Sequence, residues 1–423
     1  MKLPQSIKRW SVCYPLSRQR VFRLFTSSVH LTMATQDSRS LLFTQTNPQQ
    51  GFRLLELTPD LEKLLTSKDA PVLELKSPSP ALAQAVVDPS AQEYVNLCTA
   101  TQTYRIRQVQ SSNSIHVIRP SHGEISQADI KVVEDVDTGL NLPNEAVTAI
   151  AKCSSTLELH VPPGGFSATP FLEKSLRLYD WRDEDGDVPM DEPSSGPLGA
   201  KEMREVREQI CRDIPVSTAQ CDQGWMELCA FVDGGDEISG WRPSARARLH
   251  VWKRLSEGAV LQGIDLEKQF LVGDLWKSVL DDDDEQEAPF SRALLEAIVR
   301  RICVADERPA LADEMKWASF DKAECTRWVG ETYLAANAPT ASSAIGRSEF
   351  LSAWKDCLPE SWRAEVALSK LMDGCYKSAD PTTIHFVAET QRQDTLKAAG
   401  TGSAPAAKAK NTRNWHELLK ARR

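Results

Sequence analysis

The chain has 423 residues, 41% hydrophobic and 26% charged, with a net charge of −9, a composition that fits a soluble globular protein and excludes one disordered throughout. That length allows two to four cores of about 70 to 150 residues each, and no apolar run approaches the roughly 18 residues needed to cross a bilayer. The charge is uneven: residues 1–36 and 397–423 each carry +6, so the total of −9 leaves −21 on the body between them, and so acidic a body restricts nucleic-acid contact to local patches.

Residues 1–36 contain no Asp or Glu and alternate Arg9, Arg18, Arg20 and Arg23 with Trp10, Val21, Phe22, Leu24 and Phe25. That is the pattern of a mitochondrial targeting segment; Met33 would serve equally as a start, which would make the extension dispensable. From Leu41 to Ile118 the chain is strand-like, with short β-branched or aromatic runs over 72–75, 94–98, 104–106 and 115–118 set between Pro, Ser and Asn. Thr58-Pro59-Asp60-Leu61-Glu62 interrupts them as a short helix, with a capping Thr, Pro in the first turn and Leu61, Leu64 and Leu65 on one face. So few strands do not obviously close a sheet, and open edges need covering. The region 37–138 therefore reads as a β-rich, barrel-like domain completed by partner chains, with Tyr94, Leu97, Tyr104, Ile106, Ile115 and Val117 as its candidate partner-binding residues.

After about residue 140 the pattern turns helical. Pro170 to Tyr179 aligns Leu172, Leu176 and Tyr179, Lys201 to Ile210 aligns Met203, Val206 and Ile210, and Thr218 to Val232 aligns Trp225, Leu228, Cys229 and Val232. An acidic Pro/Gly-containing loop, 180–199, splits the first two, and a strand over 238–242 follows the third. Three helices and a hairpin make a winged helix, assigned to 139–254. Leu266 to Trp276, the acidic run 281–287 and Ser291 to Ile302 form a divergent middle copy, 255–318. A last copy, 319–390, comprises helices over Asp321 to Leu334, from a capping Ser348 to Leu358, and over Ser361 to Met372, then strands at 375–377 and 383–387. Residues 391–412 read as a flexible linker. The final residues place Trp415, Leu418 and Leu419 at helical spacing, which suits a short peptide that folds on a partner.

Sites for chemistry are sparse. The chain lacks GxxxxGK[ST], GxSxG, HExxH and GxGxxG. Its ten cysteines form no CxxC pair and its seven histidines are scattered singly, so the cysteines read as reduced core thiols and no metal or cofactor is implied. The acidic loops offer no apolar setting to raise a carboxyl pKa for acid/base work. One basic constellation stands out: Arg242, Arg246, Arg248, His250, Lys253 and Arg254, with Arg246, His250, Lys253 and Arg254 sharing a helix face opposite Val251, Trp252 and Leu255. Such a face can meet phosphates, which makes Arg242, Arg246, Arg248, Lys253 and Arg254 the candidate DNA contacts.

The segments Gly51-Phe52-Arg53-Leu54-Leu55-Glu56-Leu57, Leu97-Cys98-Thr99-Ala100-Thr101-Gln102-Thr103-Tyr104 and Gln108-Val109-Gln110-Ser111-Ser112-Asn113-Ser114, with Glu349-Phe350-Leu351-Ser352-Ala353-Trp354 and Thr383-Ile384-His385-Phe386-Val387, together resemble the sister chromatid cohesion proteins of the DCC type over about residues 40–390. The resemblance implies a non-catalytic nuclear subunit of the alternative, cohesion-type replication factor C clamp loader. Its β region would co-fold with the small and large cohesion-type subunits, and its winged helices would reach polymerase epsilon and DNA. The replication factor C small subunits and the sliding clamp would be met indirectly, during clamp loading or unloading. Family members commonly end with one more helical module where this chain has the linker and the Trp415 peptide, which puts the contacts of that module in doubt. The expected fold is thus α+β: a partner-completed β domain followed by tandem winged helices, with no membrane contact. A stand-alone winged-helix DNA-binding regulator is the competing reading. Against it stand the acidic body and the few base-reading side chains on the third helices: Gln220 and Gln223 in one, Arg363 and Lys370 in the other.

Overall fold

The computed structural model describes residues 42–46, 48–78, 94–121, 146–162, 164–180, 199–234, 238–280, 288–311, 313–378, 380–388 and 392. The basic extension 1–36, the linker after 392, the peptide with Trp415, Leu418 and Leu419, the acidic run 281–287 and the interior of the acidic loop 180–199 lie outside the described residues. The described chain forms two compact units, one of residues 42–77 and 94–162, the other beginning at Gly164.

In the first unit, strands β1 (Leu42–Gln45), β2 (Leu54–Leu55), β3 (Glu74–Lys76), β4 (Asn96–Cys98), β5 (Thr103–Ser121) and β6 (Ala146–His160) form one sheet ordered β1-β6-β5-β4-β3, with β2 also on β6. Helix α1 (Pro59–Thr66) starts where the sequence predicts, the Thr58 hydroxyl accepting from the Leu61 N–H and Pro59 sitting in the first turn. The tight β4–β5 hairpin is closed by Thr99, whose Oγ1 accepts from the backbone N–H of Thr101 at 3.2 Å and of Gln102 at 2.9 Å. Strands β5 and β6 pair antiparallel along nearly their whole length, with an irregularity between Gln110 and Ile115 where residues 111–114 stand opposite Ser154 alone.

Strand β6 corrects the expectation of helices after residue 140. Ala149, Ala151 and Cys153 are buried while Lys152 and Ser154 are exposed, a period of two. Its small residues have weak strand propensity and hid the pattern. The core of this unit is small: Leu61, Leu97 and Tyr104 are buried, with Leu55, Leu65, Leu73, Ile106 and Leu159 packed against them. Among the described residues the sheet stays open and no barrel closes.

The second unit falls into three groups of elements, of which the first has the full order of helix, strand, helix, helix and hairpin. Its first group is α2 (Thr169–Ser175), β7 (Arg177–Tyr179), α3 (Ala200–Arg212), α4 (Thr218–Glu227), β8 (Phe231–Gly234) and β9 (Ile238–Pro243), with sheet order β7-β9-β8. The next is α5 (Ala245–Leu261), β10 (Phe270–Leu271), α6 (Val272–Lys277), α7 (Arg292–Ile302) and β11 (Trp317–Ala318), with β10 antiparallel to β11. The last is α8 (Lys322–Asn337), β12 (Ile345–Gly346), α9 (Arg347–Asp356), two 3-10 segments (Glu360–Glu365 and Leu368–Lys370), β13 (Tyr376–Lys377) and β14 (Thr383–Phe386), with sheet order β12-β14-β13. Together the two units make a mixed α+β protein.

Several predicted helices end early or start differently. The one over Pro170 to Tyr179 stops at Ser175, and Arg177–Tyr179 pairs with β9; Leu172 and Leu176 are both buried, so the apolar stripe runs on past the helix end. The one over Thr218 to Val232 stops at Glu227, because Cys229 turns the chain with φ +52 and Val232 enters β8. Leu266 to Trp276 divides into β10 and α6. Helix α9 begins at Arg347 with Gly346 as its cap, so Ser348 lies inside it. The helix over Ser361 to Met372 becomes the two 3-10 segments: only Trp362 and Leu371 of that stretch are buried, too little of a stripe to hold a helix down.

The first group has its own core around Leu172, Ile214, Cys221 and Trp225. A single continuous core joins the middle and last groups, from Leu255 and Ile298 to Phe350 and Ile384, and takes in Cys229, Phe231 and Trp241 from the first. Trp252 stands inside it with no exposure, its indole N–H donating to the Cys357 carbonyl at 2.7 Å and its ring stacked on Trp362 at 6.2 Å. Gly330 lets α8 and α9 approach, since a Cβ there would come within 2.4 Å of the Trp354 ring.

The turn before β14 is tied by Asp380. Its Oδ1 accepts from the backbone N–H of Thr382 at 2.8 Å and of Thr383 at 2.9 Å, and these bonds with the two threonine hydroxyls hold the carboxyl down to about 2. A lowered carboxyl stabilises the fold only while ionised. Its contribution is full above the ordinary carboxylate value near 4 and is lost as pH falls through about 2. Melting curves of the protein and an Asp380→Ala variant should therefore differ by a constant Tm from pH 5 to 8 and converge toward pH 2.

Candidate functional site

In the first unit the predicted partner-binding residues divide into two sets. Leu97 and Tyr104 are buried in the unit's own core, which Ile106 partly joins. Tyr94 lies under the Arg105 guanidinium, 4.2 Å from the ring centroid, and burial pushes its phenol up despite that cation. Val117 is half-buried and Ile115 is 47% exposed. Ile118 at 51% and Phe43 at 49% join Ile115 as outward apolar side chains that the sequence did not single out, Phe43 meeting the His116 ring edge-on. This end of the sheet also has an open edge. Strand β4 pairs with β5 only as far as Arg105, the Ile106 N–H adds one bond to the Val95 carbonyl, and beyond it no strand among the described residues pairs with that side of β5.

The basic constellation is split by helix α5. Ser244 caps it, accepting from the Ala247 N–H at 3.0 Å and donating to Asp180. As the spacing predicts, Val251, Trp252 and Leu255 face the core. Arg246 and Lys253 are exposed, Arg254 is half-buried, and His250 lies edge-on to Phe290 at 6.2 Å. Arg242 and Arg248 are not part of that outward face. Arg242 Nε donates to the Glu173 carbonyl at 3.1 Å, and Arg248 is half-buried with its Nε enclosed.

Nothing else among the described residues forms a reaction centre. No group of three or more His, Cys, Asp or Glu is placed to hold a metal ion. The described cysteines are buried and free, and burial pushes their thiols up at Cys98, Cys229, Cys303 and Cys357, well up at Cys325, and to about 12 at Cys375. Thiols so raised stay protonated and unreactive near neutral pH. A cleft of about 640 Å³ lies between α3, α4 and α7, lined by Met203, Trp225 and Phe290 among others. Arg292 there pairs with Glu296 at 2.8 Å and Arg300 donates to the carbonyls of Pro309, Ala310 and Asp313, while Arg204 and Arg207 also line the cleft. No helix among the described residues is long and apolar enough to cross a membrane.

The described residues thus build a mixed α+β protein whose notable features are surfaces: a sheet edge with exposed apolar side chains and a cationic helix face. The family model of the sister chromatid cohesion protein Dcc1 matches residues 52–394, and the chain belongs to that family. Its role is accordingly in sister chromatid cohesion. No curated protein gives a match to the chain.

Proposed function

We propose that the chain is a non-catalytic nuclear subunit of the cohesion-type alternative replication factor C clamp loader, acting in loading or unloading of the sliding clamp and bridging the loader to polymerase epsilon and DNA. The observation that carries this reading is the open sheet of the first unit, with its sparse core and exposed Phe43, Ile115 and Ile118 beside an open length of β5. A sheet edge of that kind gains main-chain hydrogen bonds and apolar cover when another chain adds strands to it. The small subunit and the tail of the large subunit are the occupants we assign, completing a barrel.

The order of helix, strand, helix, helix and hairpin, complete in the first group and kept in part by the other two, supports winged-helix modules in the second unit. A stand-alone DNA regulator fits less well. In the last group the third helix, which would enter the major groove, is replaced by two 3-10 turns. DNA contact is assigned instead to Arg246, Lys253 and Arg254 on α5, as a phosphate contact without base reading. Reversing the charge of all three should weaken DNA binding uniformly across sequences and flatten the salt dependence by about 0.9 for each phosphate that is no longer neutralised. An unchanged slope would remove this assignment. The functional proposal as a whole is tested by affinity purification from replicating cells: recovery of clamp-loader subunits and polymerase epsilon supports it, and a lone protein on promoters overturns it.

A further inference from the structure

The cleft of about 640 Å³ between α3, α4 and α7 is held in shape by the protein's own hydrogen bonds. The stretch that follows α7 forms one wall and is fastened twice. Arg300 of α7 donates to its carbonyls at Pro309, Ala310 and Asp313, at 2.9, 3.0 and 2.9 Å, and Arg308 returns to the carbonyls of Arg301 and Cys303 at 3.3 and 3.1 Å. Leu311 of the same stretch packs on the core of the first group. A preformed concave site of this size is the usual setting for a ligand or a peptide.

The lining has the character of a helix groove. Helix α7 turns one face into it, with Ala293, Glu296 and Ala297 at helical spacing, and α3 adds Met203 and Arg207, four residues apart. The two alanines let another backbone come close, and Trp276, Phe290 and Met226 supply apolar cover around them. The charges are of both signs. Arg204 and Arg207 stand on the α3 side, Asp313 and Glu314 are exposed on the opposite wall, and Asp233 adds a carboxylate that is 5% exposed. One oxygen of Asp233 accepts from the Gly234 N–H at 2.9 Å, and the other has no hydrogen-bond partner among the described residues. A buried carboxylate in that state calls for a cation, whereas the mixed rim disfavours nucleic acid or a peptide charged throughout with one sign.

This chain contains a segment of matching chemistry. Trp415, Leu418, Leu419 and Arg422 stand at i, i+3, i+4 and i+7, three apolar side chains and then a cation along one helical stripe. About 20 residues lie between Arg392 and that segment, a reach of roughly 70 Å when extended, against a radius of gyration of about 16 Å for a compact body of some 200 residues. The segment is basic and the body acidic, which favours their meeting.

We propose that the cleft is the docking site of the chain's own terminal segment, residues 414–423, with Trp415, Leu418 and Leu419 over Ala293 and Ala297 and with Arg422 toward Asp233, Asp313 and Glu314. Tethering gives the segment an effective concentration of about 1 mM, so a weak contact fills the cleft and any outside ligand must displace it. The docking does not depend on the clamp-loader assembly.

The test is fluorescence anisotropy of a labelled synthetic peptide, residues 412–423, titrated with the full chain. Wild type should bind it weakly, because its own segment holds the cleft. A full chain carrying Trp415→Ala, Leu418→Ala and Leu419→Ala should bind it about tenfold or more tightly. Adding Ala297→Arg to that chain, which fills the cleft floor, should abolish binding. A peptide with Arg422→Glu should bind about tenfold more weakly and recover on the vacated chain with Asp313→Arg and Glu314→Arg. That exposed pair keeps the test decisive if Ala297→Arg does not fold. A peptide that fails to bind the vacated chain, binds wild type equally well or is indifferent to the changes in the cleft overturns the proposal. Sedimentation separates the chain's own segment from that of a second copy: a monomeric wild type supports docking within the chain, and a dimer that is lost with the three alanines overturns it.

Discussion

Replacing Trp252 with alanine is expected to destabilise the second unit by about 3–5 kcal/mol, the range for truncating a buried tryptophan. The whole stability of a domain is only about 5–15 kcal/mol, so this one change should bring the middle and last groups close to unfolding. The reason is position. Trp252 belongs to α5, yet its ring packs on Trp362 and Trp328 and its N–H reaches Cys357, all in the last group. The wild-type protein should therefore melt through these two groups in one transition. In Trp252→Ala, calorimetry should show a lower Tm and a broadened or divided transition. Trp252→Phe isolates the hydrogen bond: it refills much of the cavity but leaves the Cys357 carbonyl unpaired, at about 1–3 kcal/mol. A Trp252→Ala Tm within about 2 °C of wild type would contradict the shared core, since a change of this size should move Tm further.

The second large effect is expected at the sheet. In the double variant Ile115→Asp, Ile118→Asp, association with the small clamp-loader subunit should fall by a hundredfold or more. Each isoleucine is about half exposed, so covering it contributes about 1 kcal/mol, and an unpaired carboxylate placed in the same contact adds several more against binding. The second unit should keep its own Tm, because neither residue belongs to its core. Titration calorimetry with the purified small subunit measures the change directly, and unchanged affinity would move the interface elsewhere on the sheet.

Much of this architecture was legible where local chemistry decides it. Thr58-Pro59, Ser291 and Asp321 mark helix starts because their side chains satisfy free backbone N–H groups, and the helices at Pro59, Arg292 and Lys322 begin there. The hairpin at Thr99 lies within one of the segments that carried the family resemblance, and the chain does belong to that family. Other features depend on tertiary context. The buried positions Ala149, Ala151 and Cys153 of strand β6 are small and give little strand signal, and β5 pairs along them. The segments at 360–370 look helical in a window yet bury too little to be held as a helix. Among the candidate site residues, spacing alone placed Arg246 and Lys253 on the outer face of α5, whereas the enclosure of the Arg248 Nε depends on what packs against the helix.

Expressing residues 40–163 with and without the small clamp-loader subunit tests the account at its root. Alone, the fragment should associate or melt without cooperativity, since the large apolar side chains it buries among the described residues are Leu61, Leu97 and Tyr104, beside the small Cys98, Ala149, Ala151 and Cys153; with the subunit it should become soluble and melt in one sharp transition. A fragment that is by itself a soluble, cooperatively melting monomer, and that ignores the small subunit, would contradict the account.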